Sequence, residues 1–346
     1  MQANAYFHTF TKPDERRIPC KTERPNLMTK ATKQERGDAD SRLPPYGCMN
    51  STQAECETDP EYMIPMAFCI GDTAREKKWA AWVQSQAILL ERCFGPIWGT
   101  QDWSRKWETF TRVDLNILSD LSTQKCWTQV ISATPPVATT HSELFEDEDD
   151  GLSEKTVVKY CPAGSFRWND LSVLVATKEK MVRDYVGTIH ITLKRKFQRP
   201  RPHQAAAILL TEADAKKIHF EGARSAATPA FISGHAFENG LSYLGILRAL
   251  TASGASAAAL GACAHMITDV GDRRVFAGVH YPSDSLASWL LLANTLSHYP
   301  ELCELTRLFA TQLNESPVYV RILADKSRLY APALAALHAA LSPKKK

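Results

Sequence analysis

The apolar residues of the chain recur at helical spacing, and few segments show the alternation of apolar and polar residues that is typical of strands. The clearest case begins at Ala74 and stops before Gly95 and Pro96; its apolar positions are Trp79, Trp82, Ile88, Leu89 and Phe94. Similar periodicity covers 204–218, 235–252, 254–270, 282–296, 300–314 and 318–341, and residues 167–198 indicate one long helix or two stacked ones. The pattern predicts an all-α fold.

The first 70 residues differ from the rest of the chain. They are polar, rich in Lys, Arg, Thr, Pro and Asp, and lack a sustained period, which is typical of an extended or partly disordered arm. With 346 residues and 44% hydrophobic content the chain can bury a large core, either as one domain or as two smaller ones. We predict a single helical domain at 71–341.

The composition and the local sequence patterns indicate which binding partners and which cellular compartment to expect. A formal net charge of +3 is too small for a typical nucleic-acid-binding surface. The N-terminus lacks a secretory signal pattern, and Arg248 interrupts the most apolar run at 240–267, so we expect a cytoplasmic protein without an integral membrane span.

The cysteines and the acidic run give no sign of a metal site or a disulfide framework. The nine cysteines form no CxxC pair and are expected to be mostly reduced thiols. The acidic run at 146–150 is expected to be solvated rather than to form a calcium loop.

The segment KRKFQRPRPHQ places Lys194 and Arg201 seven positions apart. Seven residues are two helical turns, so the two side chains are predicted to converge from one face, while Pro200 and Pro202 end the helix and place Arg201 in a loop. Taken alone, such a motif is more typical of a solvated basic helix end that complements its own dipole. The other two motifs change that interpretation.

The segment TPAFISGHAFENG places Ser233, Gly234 and His235 where a loop meets a helix. Ser233 is a plausible N-cap, which is a purely structural role. The same position leaves backbone N–H groups and the positive end of the helix dipole available to an anion, and Gly234 permits close approach. His235 would then stand beside that anion.

The segment RRVFAGVHYPSDS contains Arg274, His280 and Asp284. Pro282 fits the first turn of a following helix, so His280 is predicted just before the helix and Asp284 within its first turn. The Asp284 carboxylate either complements the helix dipole alone or accepts the Nδ1 proton of His280, which leaves Nε2 as a nucleophile or ligand. The planar guanidinium of Arg274 suits phosphate-like oxygens.

These three motifs, in this order, resemble those of the superfamily that unites type-2 phosphatidic acid phosphatases, bacterial non-specific acid phosphatases and vanadium haloperoxidases. The family pattern is Lys-x6-Arg-Pro, then Pro-Ser-Gly-His, then Ser-Arg-x5-His-x3-Asp. The matching positions are Lys194, Arg201 and Pro202; Ser233, Gly234 and His235; Arg274, His280 and Asp284. The motifs occupy about 190–290, and the resemblance implies a helical bundle of this superfamily with its catalytic core there.

Two residues depart from the family pattern, and a second histidine repeats part of it. Ile232 replaces the proline of the second motif and Arg273 replaces the serine of the third, for which we expect changed loop rigidity and pocket rim rather than lost chemistry. His265 and Asp269 repeat the His-x3-Asp spacing without a basic partner at the family distance. They are expected to be a core histidine and the helix acid that caps it.

The resemblance implies a phosphatase that needs no metal. His280 would attack the phosphorus of a phosphomonoester or related anhydride, giving a phosphohistidine, and His235 would protonate the leaving oxygen and then activate water. Asp284 would orient His280. The oxyanion would be held by Lys194, Arg201, Arg274, Ser233 and the Gly234 N–H.

The motifs leave other functions open. In the haloperoxidase branch the same cations hold vanadate, with the His280 position as its one covalent ligand, and bound peroxide oxidises a halide. Vanadate is the cofactor expected in that case alone. A non-catalytic phosphate-binding helical protein is the third possibility. The expected ligand is a small-molecule phosphate ester or oxyanion, and small monoesters, lipid phosphates and prenyl diphosphates all fit the motifs.

Overall fold

The computed structural model describes residues 73–95, 105–123, 189–197, 199–218, 220 and 229–342. Within these ranges the chain forms helices and turns and contains no strand, which confirms the predicted all-α fold. None of the helices in these ranges combines the length and the apolarity needed to cross a bilayer. The predicted arm at 1–70, the acidic run at 146–150 and most of the segment at 167–198 lie outside the described residues.

The described helices are numbered here in chain order. The first five are α1 Thr73–Phe94, α2 Arg105–Thr123, α3 Ile189–Phe197, α4 Pro202–Leu209 and α5 Glu212–Ala215. The next three carry the second and third motifs and are α6 Gly234–Ala252, α7 Ala257–Phe276 and α8 Pro282–His298. After a 3-10 turn at Pro300–Leu302 come α9 Leu305–Glu315, α10 Pro317–Leu323 and α11 Ala331–Leu341.

Several helix ends follow from single residues. Helix α1 ends at Phe94, before Gly95, as predicted. Gly254 and Gly278 follow α6 and α7 with φ of 70° and 66°, backbone angles that favour glycine. Pro282 begins α8, where its missing N–H leaves no hydrogen bond unmade.

Two predicted helices are each two helices in the structure. The segment 204–218 is interrupted because Leu210 is extended and Thr211 caps α5, accepting a hydrogen bond from the Asp214 N–H at 3.2 Å. The segment 318–341 is interrupted between α10 and α11 by a turn in which Arg328 has a φ of 62°. Apolar periodicity continues across both breaks, so it did not reveal them.

The described residues divide into two compact units. The first contains α1 to α5, the chain from Pro229 to Ile232, and residues Gly278–Asp284. Its core includes Phe231, whose ring lies edge-on to Phe94 and Phe197 with centroid distances of 5.5 Å in both cases. Phe94 and Phe231 are fully buried, so these rings are core contacts.

The second unit contains α6, α7, α8 from Ser285 onward, and α9 to α11. Helices α6 and α7 pack closely along each other: a Cβ placed on Gly271 of α7 would lie 2.9 Å from the Cβ of Ala236 in α6. Trp289 of α8 is fully buried, with its ring edge-on to Tyr319 at 6.2 Å. The second motif therefore lies at the start of a tightly packed helix, and Arg274 of the third motif lies in the last turn of its neighbour.

Candidate active site

The His280 imidazole is held by the start of helix α8. Its Nδ1 lies 3.1 Å from Oδ2 of Asp284, and the same oxygen accepts the Tyr281 N–H at 3.0 Å. Both side chains are buried. This geometry confirms that His280 precedes the helix and that Asp284 lies in its first turn, within hydrogen-bonding distance of Nδ1.

The Arg201 guanidinium fixes which nitrogen of His280 carries the proton. Arg201 Nη1 lies 3.0 Å from His280 Nε2 and also donates to the Val279 carbonyl at 2.5 Å. A guanidinium can only donate, so Nε2 must accept and the proton of the neutral ring belongs on Nδ1. His280 then donates from Nδ1 to Asp284, and the Nε2 lone pair points toward a cationic group.

Lys194 and Arg201 both belong to the first unit, but they do not extend from the same face of one helix. Helix α3 carries Lys194 and ends at Phe197, three residues before Pro200, and Arg201 is extended with φ −72° and ψ 156°. The prediction that Arg201 lies outside the helix is confirmed, whereas the predicted alignment over two helical turns is wrong, because the helix already ends at Phe197. Lys194 Nζ instead donates to the Pro229 carbonyl at 2.5 Å, and Arg201 to the Val279 carbonyl.

Arg199 and Asp114 join this group, and the sequence motifs did not single them out. Arg199 Nη1 donates to Asp284 Oδ1 at 2.7 Å and to Ser283 Oγ at 2.7 Å, while Nη2 donates to Asp114 Oδ2 at 2.7 Å. All four side chains are fully buried, with exposures of 1% or less. A buried guanidinium thus bridges two carboxylates, one of which contacts His280.

A weak sequence signal for Asp114 existed. It lies four residues from both Phe110 and Leu118, two buried apolar residues of α2, so the acid occupies the apolar face of the helix. Arg199 stood inside the first motif at a position that the family pattern leaves free. The contact between them joins residues 85 positions apart, and no local pattern predicts such a pairing.

Burial and charge act in opposite directions on Asp284. Burial raises the pKa of Asp284, and the Arg199 guanidinium, the Tyr281 N–H and Lys194 each lower it, with burial prevailing. Burial also opposes the charge of Arg199, but the carboxylates of Asp284 and Asp114 outweigh it, so the pKa of Arg199 lies above its ordinary value. Burial therefore decides the direction of the pKa shift at Asp284, whereas the charged partners decide it at Arg199.

Two further groups near these residues stay neutral around pH 7. Burial, reinforced by the charge of Arg201, lowers the pKa of His203 to about 4. Burial raises the pKa of Tyr281 well above its ordinary value. The Tyr281 ring stacks on the Arg199 guanidinium, with Cζ 3.6 Å from the ring centroid.

The remaining predicted residues belong to the second unit. Ser233 is the N-cap of α6, as predicted, and its hydroxyl accepts the Ala236 N–H at 3.3 Å. Gly234 and His235 are the first two residues of that helix, and Ser288 Oγ donates to the Ser233 carbonyl at 2.8 Å. Arg274 lies in the last turn of α7 and is fully buried.

The repeated His-x3-Asp spacing has a structural explanation within α7. His265 Nε2 lies 3.6 Å from Asp269 Oδ1, and the Asp269 carboxylate contacts the Arg273 guanidinium. The His265 side chain is 33% exposed, so it lies at the edge of the unit. The expectation of a core histidine is therefore wrong. Arg273, which departs from the family pattern, is buried and pairs with Asp269 four residues before it.

Comparison with protein families identifies the region that carries these motifs. Residues 183–296 match the family model of the PAP2 superfamily. The match supports membership of this region in the PAP2 superfamily. The chain has no match among curated proteins and none among solved structures.

The PAP2 region contains all eight predicted site residues and Arg199, whereas Asp114 lies outside it. Membership supports a phosphatase-like activity in general and agrees with the all-α fold. The structure places Lys194, Arg201, His280 and Asp284 in the first unit and Ser233, Gly234, His235 and Arg274 in the second.

Proposed function

We propose that the protein hydrolyses phosphomonoesters or related phosphate anhydrides through a phosphohistidine on His280, without a metal cofactor. The observation that carries the proposal is the orientation of the His280 ring. Nδ1 is engaged by Asp284, and Nε2 lies 3.0 Å from a guanidinium that can only donate, so the lone pair needed for attack is on Nε2.

In the first step, Nε2 of His280 forms a bond to phosphorus as the bond from phosphorus to the leaving oxygen breaks. Asp284 stabilises the positive charge that develops on the ring, because its ionised carboxylate accepts a hydrogen bond from the Nδ1–H and stays negatively charged. Lys194, Arg201 and Arg274 provide the positive charge that the equatorial oxygens require, together with the Ser233 hydroxyl and the Gly234 N–H. His235 gives its proton to the leaving oxygen.

In the second step, His235 removes a proton from water as the water oxygen bonds to phosphorus and the phosphorus–nitrogen bond breaks. Inorganic phosphate leaves and both histidines return to their starting state. One group thereby serves as acid and then as base. The helix dipole of α6, which begins at Gly234, favours the anion throughout.

The decisive experiment compares hydrolysis of p-nitrophenyl phosphate by the wild-type chain and by His280→Ala, with chelator present. We expect the variant to lose at least about 10³-fold in kcat because the nucleophile is gone. His265→Ala is the matched control, since it has the same His-x3-Asp spacing and should retain wild-type activity. Near-normal hydrolysis by His280→Ala would refute the proposal.

Vanadate distinguishes the rival functions in the same preparation. As a phosphate-shaped oxyanion it should inhibit hydrolysis if the chain is a phosphatase. Bromination that requires vanadate, bromide and peroxide would instead indicate the haloperoxidase, in which His280 holds vanadate. If neither reaction occurs but phosphate binds, the chain is a phosphate-binding protein.

A further inference from the structure

Asp114 caps the helix on which the His280–Asp284 pair depends. Its Oδ1 accepts the Ser283 N–H at 3.1 Å, and its Oδ2 contacts the Ser283 hydroxyl. Ser283 is the second residue of α8, where backbone N–H groups have no partner within the helix. A carboxylate from α2 thus supplies the cap that helices ordinarily take from their own N-cap residue, and it fixes the start of α8 in place.

Arg199 connects this cap to Asp284. Its two terminal nitrogens make three hydrogen bonds of 2.7 Å, to Ser283, Asp284 and Asp114, and the Tyr281 ring covers the face of the guanidinium. The planar fork reaches both carboxylates at once, whereas a lysine ammonium is a single point on a flexible stem. Because Asp284 Oδ1 is engaged by Arg199, Oδ2 is left to His280 and the Tyr281 N–H.

We propose that Arg199, anchored by Asp114, is a positioning residue that keeps Asp284 ionised and directed at Nδ1 of His280, so that Nε2 stays unprotonated. The inference rests on the proposed function of His280 as nucleophile. Neither Arg199 nor Asp114 touches the reacting atoms in this account. Both act through Asp284 and the N-terminus of α8.

The charges around Asp284 give the two residues opposite effects. The charged groups that face the Asp284–His280 pair include Asp114 of α2, Lys194 of α3, and Arg199 and Arg201 of the chain between α3 and α4, and the Tyr281 N–H donates to Asp284. Loss of the positive Arg199 favours proton uptake by the Asp284–His280 pair, and loss of the negative Asp114 disfavours it. Each substitution shifts the pH of this proton uptake in the same direction whether Asp284 or His280 takes the proton.

The test follows the protonation of His280 Nε2 by ¹⁵N NMR of the histidine-labelled full chain between about pH 4 and pH 9, with His280→Ala to assign the signal. We expect Arg199→Gln to protonate Nε2 at a higher pH than wild type, and Asp114→Asn at a lower pH. A helix or core that was merely loosened would not shift the two variants in opposite directions. Equal midpoints in all three folded proteins would overturn the proposal.

Kinetics on p-nitrophenyl phosphate add a second readout. In the pH profile of kcat, the acidic limb should shift to higher pH for Arg199→Gln and to lower pH for Asp114→Asn, with KM nearly unchanged. Arg199→Lys keeps the charge but loses the fork, so its limb should stay near wild type while kcat falls about tenfold. Full kcat in Arg199→Lys, together with an unshifted limb in Asp114→Asn, would contradict the proposal.

Two controls separate the possible failures. Arg112→Gln removes the same charge from the exposed face of α2, where Arg112 pairs with Glu108, and should leave midpoint and kcat unchanged. If Arg199→Gln does not fold, as judged by circular dichroism, Arg199→Lys and Asp114→Asn decide the question. If wild type does not hydrolyse the ester, the proposed function fails, while the NMR midpoints still test the positioning of His280.

Discussion

At the scale of single residues, the chain places several ionisable groups inside the protein and satisfies each with a specific partner. Asp284, Arg199 and Asp114 are fully buried and linked by hydrogen bonds of 2.7 Å. An isolated charge in such surroundings costs several kcal/mol, so each member depends on the others. The cluster is stable only as a set, and single substitutions within it should have large effects.

Asp284→Asn tests this dependence directly. Both oxygens of Asp284 accept hydrogen bonds, Oδ1 from Arg199 and Oδ2 from His280 and the Tyr281 N–H, so the amide group of asparagine must oppose a donor in either orientation. In the orientation that faces the ring, His280 must move its proton to Nε2 and lose its lone pair there. We expect kcat to fall on the order of 10²- to 10⁴-fold in steady-state assays.

Asp214→Asn is the matched control for that substitution. Asp214 is an exposed acid at the start of α5 that accepts from Lys217 and Thr211. Its loss should leave kcat unchanged, since exposed ion pairs contribute little. Equal kcat in both variants and wild type would show that the Asp284 carboxylate does not orient the nucleophile.

At the scale of elements, the start of α6 is positioned by its close packing against α7. A Cβ on Gly271 would lie 2.9 Å from the Cβ of Ala236, a short and inflexible side chain next to His235, and 3.5 Å from Trp289. Gly271 is therefore needed for space rather than for a special backbone angle. Any side chain there would push apart the two helices that carry the second and third motifs.

Gly271→Ala is expected to destabilise the protein by about 1–3 kcal/mol, because neither helix can yield without moving its neighbours. Gly261→Ala is the control on the same helix. A Cβ there meets nothing within 4 Å, and the better helix propensity of alanine should stabilise by about 0.5–1 kcal/mol. Denaturant unfolding measures both, and equal effects at the two glycines would contradict the packing argument.

The helices themselves were largely predictable from the sequence. The segments 235–252 and 282–296 correspond closely to α6 and α8, because their apolar periodicity agrees with strong local boundaries at Ser233 and Pro282. The breaks inside 204–218 and 318–341 were not predicted, since apolar spacing continues through them. Local capping decided the first break and a turn with a left-handed residue decided the second.

At the scale of the whole molecule, Asp272 links the stability of the fold to pH. Burial raises the pKa of Asp272 well above its ordinary value, and Asp269 raises it further, although the Ser316 hydroxyl donates to Asp272 Oδ1 at 2.6 Å. The folded protein therefore binds this proton more tightly than the unfolded chain does. Its contribution to stability is complete below the ordinary pKa of an aspartate and is lost as pH rises through the raised value.

Asp272→Asn should abolish this loss of stability at higher pH, because the amide keeps the shape of the side chain and an acceptor for Ser316 without the charge. We expect the melting temperature of the variant to rise relative to wild type by several degrees as the pH goes from about 4 to about 8. Thermal unfolding followed by circular dichroism at several pH values gives the difference. Parallel curves for the two proteins would show that Asp272 does not couple folding to pH.

The sequence alone determined the helical class, the three motifs and the local geometry at their boundaries. The N-cap at Ser233, the start of α8 at Pro282 and the His280–Asp284 contact follow from residues no more than four positions apart. Which distant residues support these features follows from the way the chain folds. Folding ended α3 before Arg201, set the Arg201 guanidinium against His280, and brought Asp114 and Arg199 together behind Asp284. The physical reason is range: helix caps and hydrogen bonds between neighbours are encoded locally, whereas a buried charge can be matched by any part of the chain that folding brings to it.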